Sequence, residues 1–141
     1  MFTNGCFDLL HAGHLQLLTQ AARLGDRLVV AVDRDASVWR LKGPGRPVLD
    51  EKARTSLLGA LDVVDAVVVF DDDLLDVIDH VGPDVIVKGA DYRGREVVGA
   101  SLVKSRGGRI ELVPLLEGYS TTGLVERVRA GEGERPGAVG L

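Results

Sequence analysis

Short apolar runs alternate with amphipathic stretches along most of the chain. Runs rich in Val, Ile and Leu that have the length of a β-strand occur at 27–32, 66–70, 84–88 and 109–113. Such runs are typical of parallel strands that are buried on both faces. A shorter segment at 1–4 stops at the turn-forming pair Asn4-Gly5 and predicts one further strand.

Between these runs, apolar residues recur three or four positions apart, which is the spacing of one face of an α-helix. On this spacing and on end signals, helices are predicted at about 14–24, 36–41, 51–61, 74–81, 96–106 and 123–129. Gly25 suits the position after the first helix, and Asp50 suits the N-cap of the third. Because strands and helices alternate, the sequence predicts an α/β fold with a doubly wound parallel sheet.

The composition narrows the class of protein. A chain of 141 residues is predicted to form one domain, here 1–129, followed by a Gly-rich tail at 130–141 that we expect to be disordered. The net charge of −4 argues against binding to nucleic acid or to a membrane surface. No apolar run approaches the roughly 20 residues of a membrane span. A single Cys cannot form an internal disulfide, which fits a cytoplasmic protein.

The stretch from Thr3 to His14 reads TNGCFDLLHAGH and leads from the first strand into the first helix. It places His11 and His14 at a helix N-terminus, where unpaired backbone N–H groups and the helix dipole favour a phosphate. Gly13 carries no Cβ, so a phosphate or ribose is able to lie against the backbone. Two imidazoles that donate hydrogen bonds stabilise charge on a phosphoryl group in transfer. The pattern therefore indicates phosphoryl or nucleotidyl transfer.

Two histidines at this spacing have other interpretations. An isolated pair is often a surface feature or half of a metal site, since positions i and i+3 share a helical face. A zinc site needs further ligands, and the chain offers only His80 and Cys6 besides. Because no base is paired with Cys6 in a recognisable pattern, we expect it to be structural rather than nucleophilic. No residue is assigned as a ligand of a protein-bound metal.

Charged residues mark further candidate positions. Lys42 and Arg46 lie in a loop rich in Gly and Pro, where an ordinary solvated charge is the alternative. Arg54 stands at the edge of a predicted helical stripe, from which it reaches either a phosphate or the solvent. The acidic run at 71–73 follows the third strand, and we expect it to cap the next helix rather than to hold magnesium.

Two later segments bring polar groups to the ends of predicted elements. The carboxyl end of the fourth strand, where ligands bind in open parallel sheets, carries Lys88, Gly89, Asp91 and Tyr92. A structural loop is the alternative there. The last predicted helix is preceded by Ser120, Thr121 and Thr122. An N-cap explains one hydroxyl, whereas three hydroxyls at a helix start make a second phosphate cradle.

Taken together, the segments TNGCFDLLHAGH, RLKGPGRP, VKGADY and EGYSTT resemble the HxGH signature and associated loops of the cytidylyltransferase-like nucleotidyltransferases. The resemblance covers about residues 2–129 and implies a Rossmann-like five-stranded parallel sheet of order 3-2-1-4-5. It is strongest to the branch that makes ADP-heptose from ATP and D-glycero-D-manno-heptose 1-phosphate. Glycerol-phosphate cytidylyltransferases carry an Arg-Thr pair where this chain has Leu115 and Leu116, and the KGADY pattern differs from pantetheine-phosphate adenylyltransferases.

The resemblance also implies roles for individual residues. Catalysis is expected from His11, His14 and Lys42. Nucleotide and phosphate binding is expected from Thr3, Asn4, Gly5, Phe7, Gly13, Arg54, Lys88, Gly89, Asp91, Tyr92, Ser120, Thr121 and Thr122. Acceptor binding is expected from Asp8, Asp33 and Arg46, with Asp8 orienting either a motif partner or the acceptor sugar.

The same resemblance implies partners. The substrates are expected to be ATP or another nucleoside triphosphate with magnesium, and a sugar 1-phosphate supplied by a separate sugar kinase. A homodimer is expected, with neither nucleic acid nor membrane as a partner. No covalent intermediate is implied, so the rate must come from positioning and electrostatics. A non-catalytic module that only binds nucleotide is the alternative from another class.

Overall fold

The computed structural model describes residues 1–131, so most of the predicted tail, 132–141, lies outside the described residues. Five parallel strands form one sheet of order β3-β2-β1-β4-β5, which confirms the predicted fold. The strands are β1 (Phe2–Gly5), β2 (Val29–Asp33), β3 (Ala66–Phe70), β4 (Val85–Gly89) and β5 (Arg109–Val113). No helix within 1–131 is long and apolar enough to cross a membrane.

The helices follow the predicted order, and most of their ends lie within one or two residues of the predicted ones. They are α1 (Ala12–Ala22), α2 (Asp35–Lys42), α3 (Glu51–Gly59), α4 (Leu74–Val81), α5 (Ala100–Ser105) and α6 (Thr121–Arg129). Helix α1 begins two residues before the predicted start because the His11 side chain caps it. Helix α5 is shorter than the predicted 96–106, since Gly99 precedes it with a φ of 82°, which a continuous helix excludes.

The core lies on both faces of the sheet. Val30 and Val32 of β2 pack in a cluster with Leu18 of α1, whereas Ala31 between them packs on the other face with Ile78 of α4. Successive side chains of a strand point to opposite faces, so both sets of positions must be apolar. This arrangement explains why the strands appear in the sequence as apolar runs rather than as an alternating pattern.

Parallel pairing brings the carboxyl ends of all the strands to one edge of the sheet. β1 lies in the middle and pairs with β2 on one side, where Gly5 is opposite Val32, and with β4 on the other. The chain leaves β1 towards β2 and later returns to β4, so the direction of winding reverses beside β1. Ligands bind at such a reversal in open parallel sheets, outside the carboxyl ends of the strands.

The turn before β5 leaves no room for a side chain at Gly108. A Cβ there would collide with the carbonyl oxygen of Asp84 and with a methyl group of Val103. We expect Gly108→Ala to lower the free energy of unfolding by about 1–3 kcal/mol, because backbone cannot move as freely as a side chain. The matched change Gly59→Ala should raise it by about 0.5–1 kcal/mol, since Gly59 ends α3 with no atom near its Cβ position. Urea unfolding measures both values, and equal effects would contradict this packing.

Candidate active site

A cleft of about 690 Å³ opens at the carboxyl edge of the sheet. This volume is within the usual range for small-molecule sites. The structure brings most of the sequence-predicted site residues together there. Those lining the cleft are Thr3, Asn4, Gly5, Phe7, Asp8, His11, His14, Asp33, Lys42, Arg46, Lys88, Gly89, Asp91, Tyr92, Ser120, Thr121 and Thr122. Gly13 and Arg54 do not line it.

The two histidines are fixed by reciprocal hydrogen bonds at the start of α1. The Nδ1 atom of His11 accepts from the backbone N–H groups of Gly13 (3.1 Å) and His14 (3.4 Å). The Nδ1 atom of His14 accepts from the backbone N–H of His11 (3.3 Å). The rings stack with centroids 3.8 Å apart. Because Nδ1 accepts in both rings, each neutral imidazole carries its proton on Nε2 and has that N–H available to donate.

This capping changes the role expected for Gly13. Its backbone N–H is engaged by His11, and a Cβ at Gly13 would meet the His11 ring at 2.9 Å and Tyr119 at 3.4 Å. The space beside the glycine is therefore filled by the imidazole and not left open for a phosphate. Gly13 lets the catalytic ring fold back over the helix start.

Burial keeps both imidazoles uncharged. It lowers the pKa of His14 to about 4, with a further contribution from the neighbouring His11, and it also lowers the pKa of His11. At neutral pH the ligand-free rings therefore act as hydrogen-bond donors through Nε2. A ring whose other nitrogen accepts from the backbone has no lone pair left to act as a general base.

Asp8 connects three segments of the site. Its carboxylate accepts from the backbone N–H groups of Val48 (2.7 Å) and Leu49 (2.9 Å), and Arg46 Nε lies 3.7 Å away. Its carbonyl oxygen accepts from the Thr121 hydroxyl at 2.6 Å. Both carboxylate oxygens are thus engaged by the protein, and Asp8 ties its own turn to the loop before α3 and to the start of α6.

The second cradle lies at the start of α6. Ser120 caps the helix through its hydroxyl, and the Thr121 hydroxyl is used by Asp8. Thr122 Oγ1 accepts from an Arg46 guanidinium nitrogen at the long distance of 3.4 Å. The Nε of Arg46 is buried and has no hydrogen-bond partner within residues 1–131. A cation with spare donors beside a helix N-terminus is well suited to an anion.

The opposite wall is built on β2 and β4. Lys88 donates to the carbonyl oxygen of Asn4 at 3.1 Å and lies 4.9 Å from the centroid of the Tyr92 ring. Asp33 accepts from the Cys6 thiol at 3.7 Å. Burial lowers the pKa of Lys88 to about 8, raises that of Asp33 and raises the pKa of Cys6 to about 11. Lys42, by contrast, is exposed at the end of α2, where it faces the cleft from the solvent side.

The expectation that Arg54 reaches a phosphate is corrected by the structure. Its side chain is fully buried, and its guanidinium donates to the carbonyl oxygens of Cys6 (2.7 Å) and Leu49 (3.1 Å) and to the carboxylate of Asp35 (2.7 Å). Arg54 therefore joins the end of β1 to α2 and to the loop before α3. Periodicity alone placed it at the margin of an apolar stripe and did not reveal these partners.

Sequence reasoning missed two side chains of the cleft wall. The Arg95 guanidinium carbon lies 4.5 Å from the Tyr92 ring centroid, and the Tyr119 ring lies 6.4 Å from that of His11. Arg95 follows a loop without periodicity, so no pattern singled it out. Tyr119 stood inside the EGYSTT segment, and its place beside the hydroxyl run was the signal that could have identified it.

The acidic run after β3 does not behave as expected. Asp71 accepts from Ser37 (2.6 Å) and from Arg40 (3.0 Å), and Arg40 also reaches Asp72 at 3.2 Å. Asp73 precedes α4 without a side-chain capping bond to that helix. Asp71 and Asp72 are therefore tied to α2, whereas the Asp73 carboxylate accepts from the backbone N–H of Asp71. Across the described residues, no three His, Cys, Asp or Glu side chains converge on a point that would hold a metal ion.

Comparisons with known proteins agree with this arrangement. A family model described as Cytidylyltransferase-like matches residues 2–127. The bifunctional protein HldE of Gluconobacter oxydans is 59% identical over 131 residues, which is 92% of this chain and 27% of that protein. The HldE of Syntrophotalea carbinolica is 54% identical over 129 residues, 91% of this chain and 26% of the relative. The chain thus spans about a quarter of the length of these relatives.

Solved structures show the same architecture. A lipopolysaccharide core biosynthesis protein from Thermoplasma volcanium superposes with a TM-score of 0.68 and 32% identity, covering 84% of this chain and 96% of the other. A pantoate-beta-alanine ligase from Francisella tularensis superposes with a TM-score of 0.57 at 15% identity, over 93% of this chain and 69% of the ligase. The second likeness concerns the fold alone.

The sheet topology and the two helix starts that border the cleft define a doubly wound α/β protein with its candidate site at the carboxyl edge of the strands. Since the family model covers nearly the whole described chain and the relatives exceed half identity, the chain belongs to the cytidylyltransferase-like family. The family predicted from the four sequence segments is confirmed.

Replacing Arg54 should test its structural role. We expect Arg54→Met to lower the free energy of unfolding by about 3 kcal/mol, because two carbonyl groups and Asp35 lose a buried partner. Arg27→Met, which breaks a solvent-exposed pair with Asp65, should change it far less. Urea unfolding measures both. An Arg54 that mainly binds phosphate would instead leave stability near wild type and weaken nucleotide binding.

The ligand-free protein should lose stability as the pH falls through the weakly acid range. Unfolded His14 takes up a proton near its ordinary pKa of 6.5, whereas folded His14 does so only near about 4. Its stabilising contribution is therefore complete above about pH 6.5 and lost progressively towards about pH 4. Urea unfolding between these limits should show a shallower pH dependence for His14→Gln than for wild type. Equal slopes would contradict the lowered pKa.

Proposed function

We propose that this chain transfers AMP from ATP to a sugar 1-phosphate, D-glycero-D-manno-heptose 1-phosphate, giving ADP-heptose and pyrophosphate. The observation that carries the proposal is the pair of neutral imidazoles held at the start of α1 and facing the cradle at the start of α6. Two names support this choice of acceptor. Relatives that are more than half identical are named HldE, and a structural neighbour is named a lipopolysaccharide core biosynthesis protein.

The histidine geometry restricts the nucleophile. Neither imidazole is able to take a proton from an attacking alcohol, because each Nδ1 accepts from the backbone and each Nε2 already carries a proton. An acceptor that is ionised before it binds avoids this problem, and a phosphate monoester is ionised at neutral pH. A sugar 1-phosphate therefore fits this site better than a free sugar hydroxyl.

The reaction proceeds by in-line displacement. An oxygen of the sugar phosphate forms a bond to the α-phosphorus while the bond to the bridging α,β-oxygen breaks, and its electron pair leaves with pyrophosphate. His11 and His14 donate from Nε2 to the α- and β-phosphoryl oxygens, where negative charge accumulates. Lys42 neutralises and orients the phosphates from the rim of the cleft. Ser120, Thr121 and Thr122 mark the place of the leaving pyrophosphate.

The remaining side chains divide between the two substrates. Thr3, Asn4, Gly5 and Phe7 form the floor, while Gly89, Asp91 and Tyr92 flank the nucleoside. Arg46 has spare donors for a phosphate, and Asp33 faces the acceptor. Magnesium enters with the triphosphate, held by its oxygens rather than by a protein cage, and shields their charge.

The proposal also covers the supply of the sugar 1-phosphate, the cell compartment, the oligomeric state and the selection of the base. A kinase reaction must supply the sugar 1-phosphate, and we place both reactions in the cytoplasm, where nucleoside triphosphates are available. We propose that the chain works as a homodimer. Base selection is assigned to the loop after β4 and to Leu115, which packs closely over Gly89.

Pyrophosphate release tests the substrates directly. With magnesium, ATP, CTP, GTP and UTP are each offered with the heptose 1-phosphate and with glycerol 3-phosphate. We expect turnover with ATP and the heptose phosphate. Turnover confined to CTP and glycerol 3-phosphate would transfer the chain to the neighbouring branch of the family. Nucleotide binding without release in any pair would indicate a module that only binds.

The histidine role is tested by His14→Ala. Loss of one donor to the transition state should lower kcat at least about a hundredfold while the domain stays folded. His80→Ala is the matched control, since His80 lies exposed on α4 and does not line the cleft. Timed assays of pyrophosphate release measure kcat for both variants. Circular dichroism confirms that both variants are folded. Near-wild-type turnover of His14→Ala would overturn the assignment.

A further inference from the structure

Three buried polar side chains come from three neighbouring strands that border the cleft, and two of them, Asp33 and Lys88, share the sheet face of Ala31 and Ile86. Thr3 of β1 is 0% exposed, Asp33 of β2 is 8% exposed and Lys88 of β4 is 7% exposed. Cys6, directly after β1, joins them through its contact with Asp33. Because β2 and β4 pair with β1 on its two sides, Asp33 and Lys88 lie on either side of β1 at the carboxyl edge of the sheet.

The protein leaves much of their hydrogen-bonding capacity unused. Within the described residues, the Asp33 carboxylate accepts from one other residue, the weakly donating thiol of Cys6 at 3.7 Å. Lys88 donates once, to Asn4, and so retains two of its three N–H donors. The hydroxyl of Thr3 has no partner among residues 1–131. Buried polar groups without partners are costly, so groups of this kind on a cleft wall point to a ligand.

The charge balance of the group indicates what sort of ligand it takes. Asp33 and Lys88 carry opposite charges and lie close enough for each to shift the pKa of the other towards its charged form. Burial raises the pKa of the Cys6 thiol to about 11, so that group is neutral. The net charge of Asp33, Lys88 and Cys6 is therefore near zero, and the Asp33 carboxylate repels an anion. Phosphates are drawn instead to Lys42, which is exposed at the cleft, and to Arg46, whose Nε has no hydrogen-bond partner among residues 1–131.

A hydroxyl group matches this pair better than any charged group does. A hydroxyl donates to a carboxylate and accepts from an ammonium at the same time, so one oxygen satisfies both partners. Two adjacent hydroxyls would fill both carboxylate oxygens of Asp33 and both free donors of Lys88.

We propose that Asp33 and Lys88 form a hydroxyl-recognition pair that binds a vicinal diol of one substrate. This inference rests on the proposed function, and it moves Lys88 from the nucleotide pocket to recognition of hydroxyls. Both the acceptor sugar and the ribose of the nucleotide carry such a diol. The position of Asp33 on β2, away from the α6 cradle, favours the acceptor sugar.

The experiment combines two variants with substrates that lack a hydroxyl. Steady-state KM and kcat are measured for wild type, Asp33→Asn and Lys88→Met, with the sugar 1-phosphate and its monodeoxy analogues in one arm. ATP with 2′-deoxy-ATP and 3′-deoxy-ATP forms the other arm. Asp62→Asn serves as the control, because Asp62 is exposed in the turn before β3, at the opposite edge of the sheet. Thermal unfolding confirms that each variant is folded.

We expect wild type to bind one deoxy sugar phosphate at least about tenfold more weakly than the parent sugar phosphate, as loss of a hydrogen bond to a charged group implies. Asp33→Asn should raise KM for the parent by a similar factor, with a smaller effect on kcat, and should no longer distinguish parent from analogue. The KM for ATP should stay within about twofold. If the variants instead lose the distinction between ATP and its deoxy analogues, the pair is still a diol site, and its ligand is the ribose.

Two results would overturn the pair. The first is that both variants still distinguish parent from deoxy substrates as wild type does, in both arms. The second is that the variants bind parent and deoxy substrates more weakly by the same factor, which is what a purely structural role predicts. If wild type releases no pyrophosphate with any sugar phosphate, the proposed function fails separately. Equilibrium binding of ATP and its deoxy analogues to wild type and the same variants then tests the diol site. Equal affinities for ATP and its deoxy analogues would reject the diol site.

Discussion

The site depends on the carboxylate of Asp8 more than on any other single group. It accepts two backbone N–H groups from the segment that follows Lys42 and Arg46, and the carbonyl of the same residue holds Thr121 at the start of α6. The flanking residues Phe7 and Leu9 both adopt left-handed backbone, with φ of 50° and 52°. Such conformations cost free energy and persist where surrounding contacts impose them. Asp8 thus holds the turn before α1 against the loop before α3 and against the start of α6.

The sequence predicted the strands, their parallel arrangement and most of the cleft because those features follow from local patterns. Apolar runs identified β2 to β5, and the family resemblance supplied the strand order. The failures have a common cause in side chains that act across the fold. The His11 side chain folds back on α1 and moves the helix start. Arg54 donates to the carbonyl oxygen of Cys6, which lies 48 positions away in the sequence. Such partners have no signature in the spacing of residues along one element.

The polar groups of the cleft wall fall into two sets. Cationic and hydroxyl groups on the α2 loop and α6 face one side, whereas a charge-balanced group from β2 and β4 lies at the floor. Two uncharged imidazoles stand between them, because burial removes the positive charge that histidine often carries near neutrality. The positive charge beside the cleft therefore comes from Arg46, Lys42 and Lys88 rather than from the histidines. The histidines contribute direction, since their backbone contacts leave one N–H in each ring aimed outwards.

Several bonds that complete the cleft join the first residues of the chain to the last described ones. Gln16 donates to Pro114 across 98 positions, and Thr121 donates to Asp8 across 113. During synthesis the amino-terminal half leaves the ribosome first, so the histidine turn emerges long before its partners exist. Closure of such distant contacts is slow compared with formation of local ones. The complete cleft is therefore acquired only when α6 docks on the histidine turn, so closure of the cleft is a late event in the folding of this domain.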